Sequence, residues 1–420
     1  MRVVVVGKGA REHAICASLV RHHEVVCTTG NPGIAEICQV EQRKPEEIDA
    51  DLYVIGPEVP LVDGLADRLR SMGRKVFGPG ADGAKLEGSK AFLKEVLRSA
   101  GVPTARFAVF SDIASAENHL RSASGPYVIK TDGLAEGKGV KVAMDLDEAL
   151  FDVRQKLSGS SFGDAGRRVV IEDYMSGPEV SLFALCDGES AAALPVATDF
   201  KRLFDGDLGD NTGGMGAHSP VPWGGTDLVD QVMQSIVQPT LVELKRRGIE
   251  YRGVLYAGLI LTEAGPKIVE YNVRFGDPET QVVIPRITSD LGSLLLQAAS
   301  GRVEEQPTID SRAALTVVLS SEGYPTAPKV GREISGLVEA SNVEGVKIFQ
   351  AGTALRDGVL VTAGGRVVSV TALADTLSEA RTKAYLAASM IRFDGVHYRT
   401  DIGAAAVARI AEWAERGNNR

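Results

Sequence analysis

Four times in the first eighty residues a short apolar run stops at a glycine: VVVV at 3–6 before Gly7, VVCT at 25–28 before Gly30, LYVI at 52–55 before Gly56, and KVF at 75–77 before Gly78. Runs this short, bounded by turn residues, read as buried strands, and helix-compatible stretches such as REHAICASLV at 11–20 separate them. Strands alternating with helices predict a doubly wound parallel sheet over residues 1–100. Ligands of such sheets lie beyond the carboxyl ends of the strands, where GKGA (7–10), GNPG (30–33) and GPEVP (56–60) fall. Glycine there lets backbone N–H groups approach an anion, and the helix start adds its positive dipole end. Glycine also ends strands for steric reasons, and GKGARE lacks the third glycine of a dinucleotide fingerprint. This segment alone leaves an ordinary turn and a phosphate site equally open.

Composition narrows the function classes. With 44% hydrophobic and 24% charged residues the 420-residue chain reads as folded. A net charge of -9 with scattered Lys and Arg gives no footprint for a nucleic-acid backbone. Cys16, Cys27, Cys38 and Cys186 show no C-x-x-C pair or zinc spacing, which suits a reducing compartment. No run of eighteen apolar residues occurs, so a cytoplasmic, soluble protein is expected.

Residues 84–100 predict one amphipathic helix burying Leu86, Phe92, Leu93, Val96 and Leu97, stopped by Gly101 and Pro103. Short strands then take over, so a second domain is expected over 101–305, with a lid at about 104–175. The segment 198–225, with glycines at 206, 209, 213, 214, 216, 224 and 225, predicts a long loop that builds no core of its own. Pro307 and ALTVVLS at 314–320 open a small α+β domain over 306–420. The fold class expected is therefore multidomain, α/β followed by α+β.

Three segments carry chemistry. VIKTDGLAEGKGVKVAM places Lys130 at the end of a strand and Gly133, Gly137, Lys138 and Gly139 in a returning hairpin. A strand lysine supplies a fixed charge and the glycines let N–H groups wrap phosphates; no G-K-[ST] follows, so this is no P-loop. VVIEDYMSGPEV brings Glu172, Asp173, Tyr174 and Glu179 beside a strand end, where a backbone edge suits adenine and a carboxylate suits ribose; taken alone, solvent-facing acids explain it better. KIVEYNVRFGDPETQ puts Glu270 and Asn272 on one strand face, two oxygens of the kind Mg²⁺ takes while keeping phosphates and waters in its shell. Arg274 continues that face, and its planar fork fits a carboxylate.

LEGSKAF, IKTDGLAEGKGV, DNTGGMGAHSP and EYNVRFGDPETQ, in this order, resemble the phosphoribosylamine–glycine ligase family of purine biosynthesis, also called glycinamide ribonucleotide synthetases. GKGAREHA, VIGPEVPLVDGL, AGTALRDG and YRTDIG extend the resemblance over nearly the whole chain. It implies a central ATP-grasp domain, with Lys90 and Lys130 on the ATP phosphates, Gly137, Lys138 and Gly139 closing over them, Glu172, Asp173 and Tyr174 near adenine, and Glu179 at ribose. Glu270 and Asn272 would hold Mg²⁺ or Mn²⁺. Arg274 with Gly213, Gly214, Met215 and Gly216 would line the glycine pocket, with Asp199 near the amine, and Gly9, Asn31, Gly33 and Glu58 would take phosphoribosylamine. Arg274 and Lys130 are the expected catalytic groups. A monomer or weak homodimer is expected, with no nucleic-acid or membrane partner.

Ala10, Phe200 and Asp210 depart from the family pattern, and the strand VLYAGLIL offers Ala257 and Gly258 where many ATP-grasp enzymes have a metal-binding acid. The implied reaction needs no nucleophilic side chain: glycine's carboxylate attacks the γ-phosphoryl group, and the amine displaces phosphate from glycyl phosphate. Glu270→Gln and Arg274→Ala are expected to lower turnover with the fold intact. Another ATP-grasp ligase is the nearest rival. A Rossmann oxidoreductase would need an acid near position 28, where Thr28 stands.

Overall fold

The computed structural model describes residues 1–134, 139–159, 167–225 and 227–418. The apolar runs of the first eighty residues form a five-stranded parallel sheet, ordered Gln39–Glu41, Glu24–Thr29, Arg2–Gly7, Leu52–Ile55, Val76–Phe77. Val3, Val4 and Val5 are fully buried because both sheet faces are covered, which is why the run is continuously apolar rather than alternating. The order turns outward in both directions from Arg2–Gly7. The carboxyl ends of this strand and of Leu52–Ile55 flank the point where ligand crevices open.

Two antiparallel sheets follow. The first, ordered Phe107–Phe110, Val169–Asp173, Tyr127–Thr131, Val140–Ala143, carries the helices Ile113–Ser122 and Leu146–Leu157 on one face. It has its own small core of Leu120, Ile129, Val153, Val169 and Ile171. The second is ordered Ala191–Ala193, Glu179–Asp187, Arg252–Thr262, Gly265–Asn272. Its last strand carries Glu270 and Asn272 to an outer edge, beside the first sheet.

The helix expected over 84–100 is two helices, Ala81–Gly88 and Lys90–Ala100. Ser89 breaks it with extended φ/ψ, and its Oγ accepts from the Phe92 N–H as N-cap of the second helix. Hydrophobic periodicity runs across the break, so the pattern hides it. Ser89 also donates to Asp132 Oδ1 at 2.9 Å, and the Ala91 N–H reaches the same oxygen at 3.1 Å. The break therefore fastens the helix start to the end of the strand that carries Lys130.

The loop expected over 198–225 also differs. Thr198–Asp199 and Gly216–Ser219 are strands of a five-stranded sheet that continues with Ala313–Ser320, Arg366–Ala374 and Val346–Gln350. Gly216 sits opposite Val317, where a Cβ would meet the Thr316 carbonyl oxygen at 2.7 Å. Close strand approach thus explains this glycine, and the C-terminal sheet borrows two of its strands from the middle of the chain. Among the described residues no helix is long and apolar enough to cross a membrane.

Candidate active site

Glu270 and Asn272 lie on the edge strand opposite Gly258 and Tyr256. Both are half-buried, and neither side chain has a hydrogen bond or salt bridge among the described residues. Gly258 keeps the ground beside Glu270 open, since a Cβ there would come within 3.3 Å of Glu270 Cγ. No group of three or more His, Cys, Asp or Glu suited to a metal exists among the described residues. Two oxygens with space around them match a hard cation that completes its shell with phosphate and water, and match a caged structural metal poorly.

Lys130, next to last in the strand Tyr127–Thr131, is 3% exposed, and its ammonium donates to the carbonyl of Val269, next to Glu270, at 3.1 Å. Its counter-ion is Glu172, at 2.9 Å. Lys94 reaches the other oxygen of Glu172 at 3.1 Å. Burial alone would raise the Glu172 pKa, but the two ammonium groups outweigh it and hold the carboxyl below its usual value. Glu172 therefore faces two lysines rather than open solvent. Lys90 donates to the Gly133 carbonyl at 3.0 Å, with its pKa lowered by burial and supported by Glu270. Gly137 and Lys138 lie outside the described residues; Gly139 is buried, and its carbonyl accepts from the Thr131 N–H at 2.9 Å.

Arg274 follows the edge strand, but its fork is not free. Nε meets Glu58 at 3.3 Å, a terminal nitrogen meets Glu87 at 3.0 Å, and the other donates to the Phe275 carbonyl at 3.3 Å. Burial pushes the Glu87 pKa up. For Glu58, Arg274 and Arg11 outweigh burial and the pKa falls. Three of five donors are committed, which leaves two for a ligand.

Beside this cluster lies a second group of acids. Asp199 is paired with Lys201 at 2.6 Å, and Lys201 also reaches Glu179 at 3.0 Å. Burial raises the Asp199 pKa to about 7 against the pull of Lys201, with Glu279 and Glu179 raising it further. Glu279 accepts from the Tyr256 hydroxyl and is 3% exposed.

The chain matches the family description "Phosphoribosylglycinamide synthetase" in three consecutive parts: the N domain over residues 1–87, the ATP-grasp (A) domain over 88–280 and the C domain over 314–405. A phosphoribosylamine–glycine ligase of Streptomyces coelicolor is 46% identical over 97% of this chain and 99% of its own length. That of Caulobacter vibrioides is 46% identical over 96% and 98%. The chain belongs to the phosphoribosylamine–glycine ligase family. The crystal structure of the Thermotoga maritima member superposes with a TM-score of 0.87 at 36% identity, over 96% of this chain and all of that one. The biotin carboxylase domain of a Hydrogenobacter thermophilus 2-oxoglutarate carboxylase shares the fold at a TM-score of 0.69 and 17% identity, over 94% and 91%.

Within this family frame several expected contacts change character. The Gly9 N–H is engaged by Glu12 Oε2 at 2.6 Å, and Arg11 holds the other oxygen of Glu12 at 2.6 Å. A Cβ on Gly56 would strike that carboxylate at 2.1 Å, so Glu12 fills the ground between the two turns where a dinucleotide fold would seat pyrophosphate. Asn31 caps Pro32–Ala35 with its oxygen, and its amide donates to the Lys8 and Gln350 carbonyls, so the side chain has no hydrogen left for a substrate. Gly33 is required by packing, since a Cβ would meet His13 at 2.5 Å and Gln350 at 2.8 Å.

In the glycine loop, Met215 is fully buried and Gly216 is locked in the C-terminal sheet, so neither lines an open pocket. Gly213 and Gly214 lie on the FGDPET turn. A Cβ on Gly214 would meet Pro278 at 2.4 Å, and Arg366 bridges the carbonyls of Gly213 and Asp277, each at 2.7 Å. The sequence reading missed Lys94, Glu87, Lys201 and Glu279. Lys94 carries a signal, since it stands one helical turn from Lys90.

Proposed function

We propose that this chain joins glycine to 5-phosphoribosylamine, splitting ATP to ADP and phosphate by way of glycyl phosphate, as the glycine-adding step of purine biosynthesis. The observation that carries the reading is the meeting of Lys130 with the Glu270 strand: the ammonium touches the carbonyl of the residue next to Glu270. A phosphate held by Lys130 and Lys90 is thereby brought beside two oxygens fit for a divalent cation.

In this reading Glu270 and Asn272 hold Mg²⁺ or Mn²⁺, which when bound neutralises charge on the transferring phosphoryl group. The backbone at Asp173 and Tyr174 takes adenine, Glu179 takes ribose, and the hairpin through Gly137, Lys138 and Gly139 covers the phosphates. Water is kept from the acyl phosphate. The two uncommitted donors of Arg274 take the glycine carboxylate, while Asp199 takes its ammonium group, with Glu279 adding negative charge beside it. Gly9 and Glu58 border the phosphoribosylamine site, and the salt bridge from Glu58 to Arg274 then puts the two substrates next to one another. Positioning and charge neutralisation supply the catalysis, with no covalent enzyme intermediate. The protein acts in the cytoplasm, as a monomer or weak homodimer, and without nucleic acid.

The test is an omission assay on the purified protein. ADP release is recorded with ATP, Mg²⁺, glycine and phosphoribosylamine made in situ from ribose 5-phosphate and ammonia, leaving out each in turn. Release requiring both glycine and phosphoribosylamine is expected. Release supported by another amino acid or another amine in place of these overturns the assignment in favour of a different carboxylate–amine ligase.

A further inference from the structure

Lys94 lies one helical turn beyond Lys90, 1% exposed, and a lysine is almost never buried so completely without a partner. Its ammonium joins three segments. It pairs with Glu172 Oε2 at 3.1 Å on the strand Val169–Asp173 and donates to the Thr104 hydroxyl at 2.7 Å. It also lies over the Phe107 ring, 5.6 Å from its centroid. Thr104 in turn donates to the Ile268 carbonyl at 2.8 Å, and the Ile268 N–H donates to Pro103 at 2.9 Å. Residues 103–104 are the connection into the lid sheet, so Lys94 sits where that sheet joins the strand of Glu270 and Asn272.

Charge counting gives this position a consequence. One carboxylate, Glu172, serves two ammonium groups, Lys94 and Lys130, so the buried trio carries a net single positive charge. Lys130 donates one of its three protons to the Val269 carbonyl, and it lies 2.9 Å from Glu172 Oε1, an oxygen that accepts no hydrogen bond among the described residues, so the ion pair leaves its other protons free to meet a phosphate. Without Lys94 the trio becomes a neutral Glu172–Lys130 pair. Its attraction for phosphate falls, and Lys130 is drawn toward the undivided carboxylate.

We propose that Lys94 is a positioning residue for nucleotide capture: by taking half of Glu172 and the Thr104 hydroxyl it keeps Lys130 available to phosphate and fixes the lid connection to the metal-binding strand. The inference rests on the reading that Lys130 holds ATP phosphates. The groups facing Lys94 are Glu172, Lys130, the Thr104 hydroxyl and the Phe107 ring. Burial, the leading cause, lowers its pKa to about 8, against the support of Glu172. The contribution is therefore present below pH 8 and fades above it, as Lys94 loses its proton.

The experiment is titration calorimetry of MgADP binding to the full-length protein between pH 6.5 and 9.5, with the wild type, Lys94→Met, Lys94→Arg and Lys130→Met. The expected wild-type result is affinity that declines above about pH 8. Lys94→Met should bind about tenfold more weakly at pH 7 and show no such decline. Lys94→Arg should bind near the wild-type level at pH 7, again without the decline. Glycine KM in the ligase assay should stay within about twofold in both Lys94 variants. Should Lys94→Met not fold, Lys94→Arg decides alone, since persistence of the decline overturns the proposal. Wild-type affinity in Lys94→Met, or equal losses toward ADP and glycine, also overturns it. Unchanged affinity in Lys130→Met instead overturns the phosphate reading beneath it.

Discussion

At the scale of single residues, the acids near Arg274 and the bare acid at Glu270 demand opposite expectations. Glu270 makes no hydrogen bond or salt bridge among the described residues, so Glu270→Gln is expected to lower kcat on the order of 100-fold, the loss typical of one preorganised charge-stabilising group, with little change in melting temperature. Arg274 is salt-bridged to Glu58 and Glu87, and removing it leaves the buried Glu87 uncompensated. Arg274→Ala is thus expected to cost about 3 kcal/mol of stability as well as activity, the lower end for breaking a buried pair. Denaturant titration checks this revision of the sequence-based expectation, and a wild-type midpoint would contradict it. Asp199 supplies a pH signature. Burial lifts its pKa to about 7, and in the proposed glycine site only its ionised form attracts the substrate ammonium. The value of kcat/KM for glycine should therefore rise with pH through about 7 and lose that limb in Asp199→Asn. The sign for stability is opposite: between about pH 4, the usual carboxyl value, and pH 7 the folded state binds the extra proton, so this group's contribution falls as pH rises.

Among elements, legibility in sequence followed range. The parallel sheet was legible because each strand is a continuous apolar run closed by a turn residue, and Lys130, Glu270 and Asn272 were legible because strand period two assigns their faces locally. The break at Ser89 was not, because the apolar stripe continues across it while the capping contact and the bond to Asp132 come from elsewhere in the chain. Nor was the role of the 198–225 segment, because a four-residue strand with Gly216 at its start has little intrinsic strand signal until Ala313–Ser320 pairs with it. This gives Gly216→Ala a definite expectation. The added methyl meets the Thr316 carbonyl oxygen at 2.7 Å and Ile402 at 2.9 Å, so a loss of about 1–3 kcal/mol should appear in thermal melts. Wild-type stability would show that the shared strand yields without cost.

For the whole molecule, the parts are stitched by contacts that cross the family's domain limits. Strand Gly216–Ser219 belongs to the C-terminal sheet, Asn31 and His13 both bond to Gln350, and Arg366 holds the turn after Arg274. The residues proposed to line the glycine pocket are thus fixed by the C-terminal unit, and those proposed to take phosphoribosylamine by the N-terminal one. Their meeting point at Arg274 and Glu58 is where an acyl phosphate and an amine must come together. In the proposed mechanism glycine's own carboxylate takes the γ-phosphoryl group at the Lys130–Glu270 junction. The most direct measurement supplies glycine labelled with ¹⁸O in both carboxylate oxygens and follows the label by mass spectrometry of the released phosphate. One labelled oxygen is expected in each phosphate formed; unlabelled phosphate, with both labels kept in the remaining products, rules the glycyl phosphate route out.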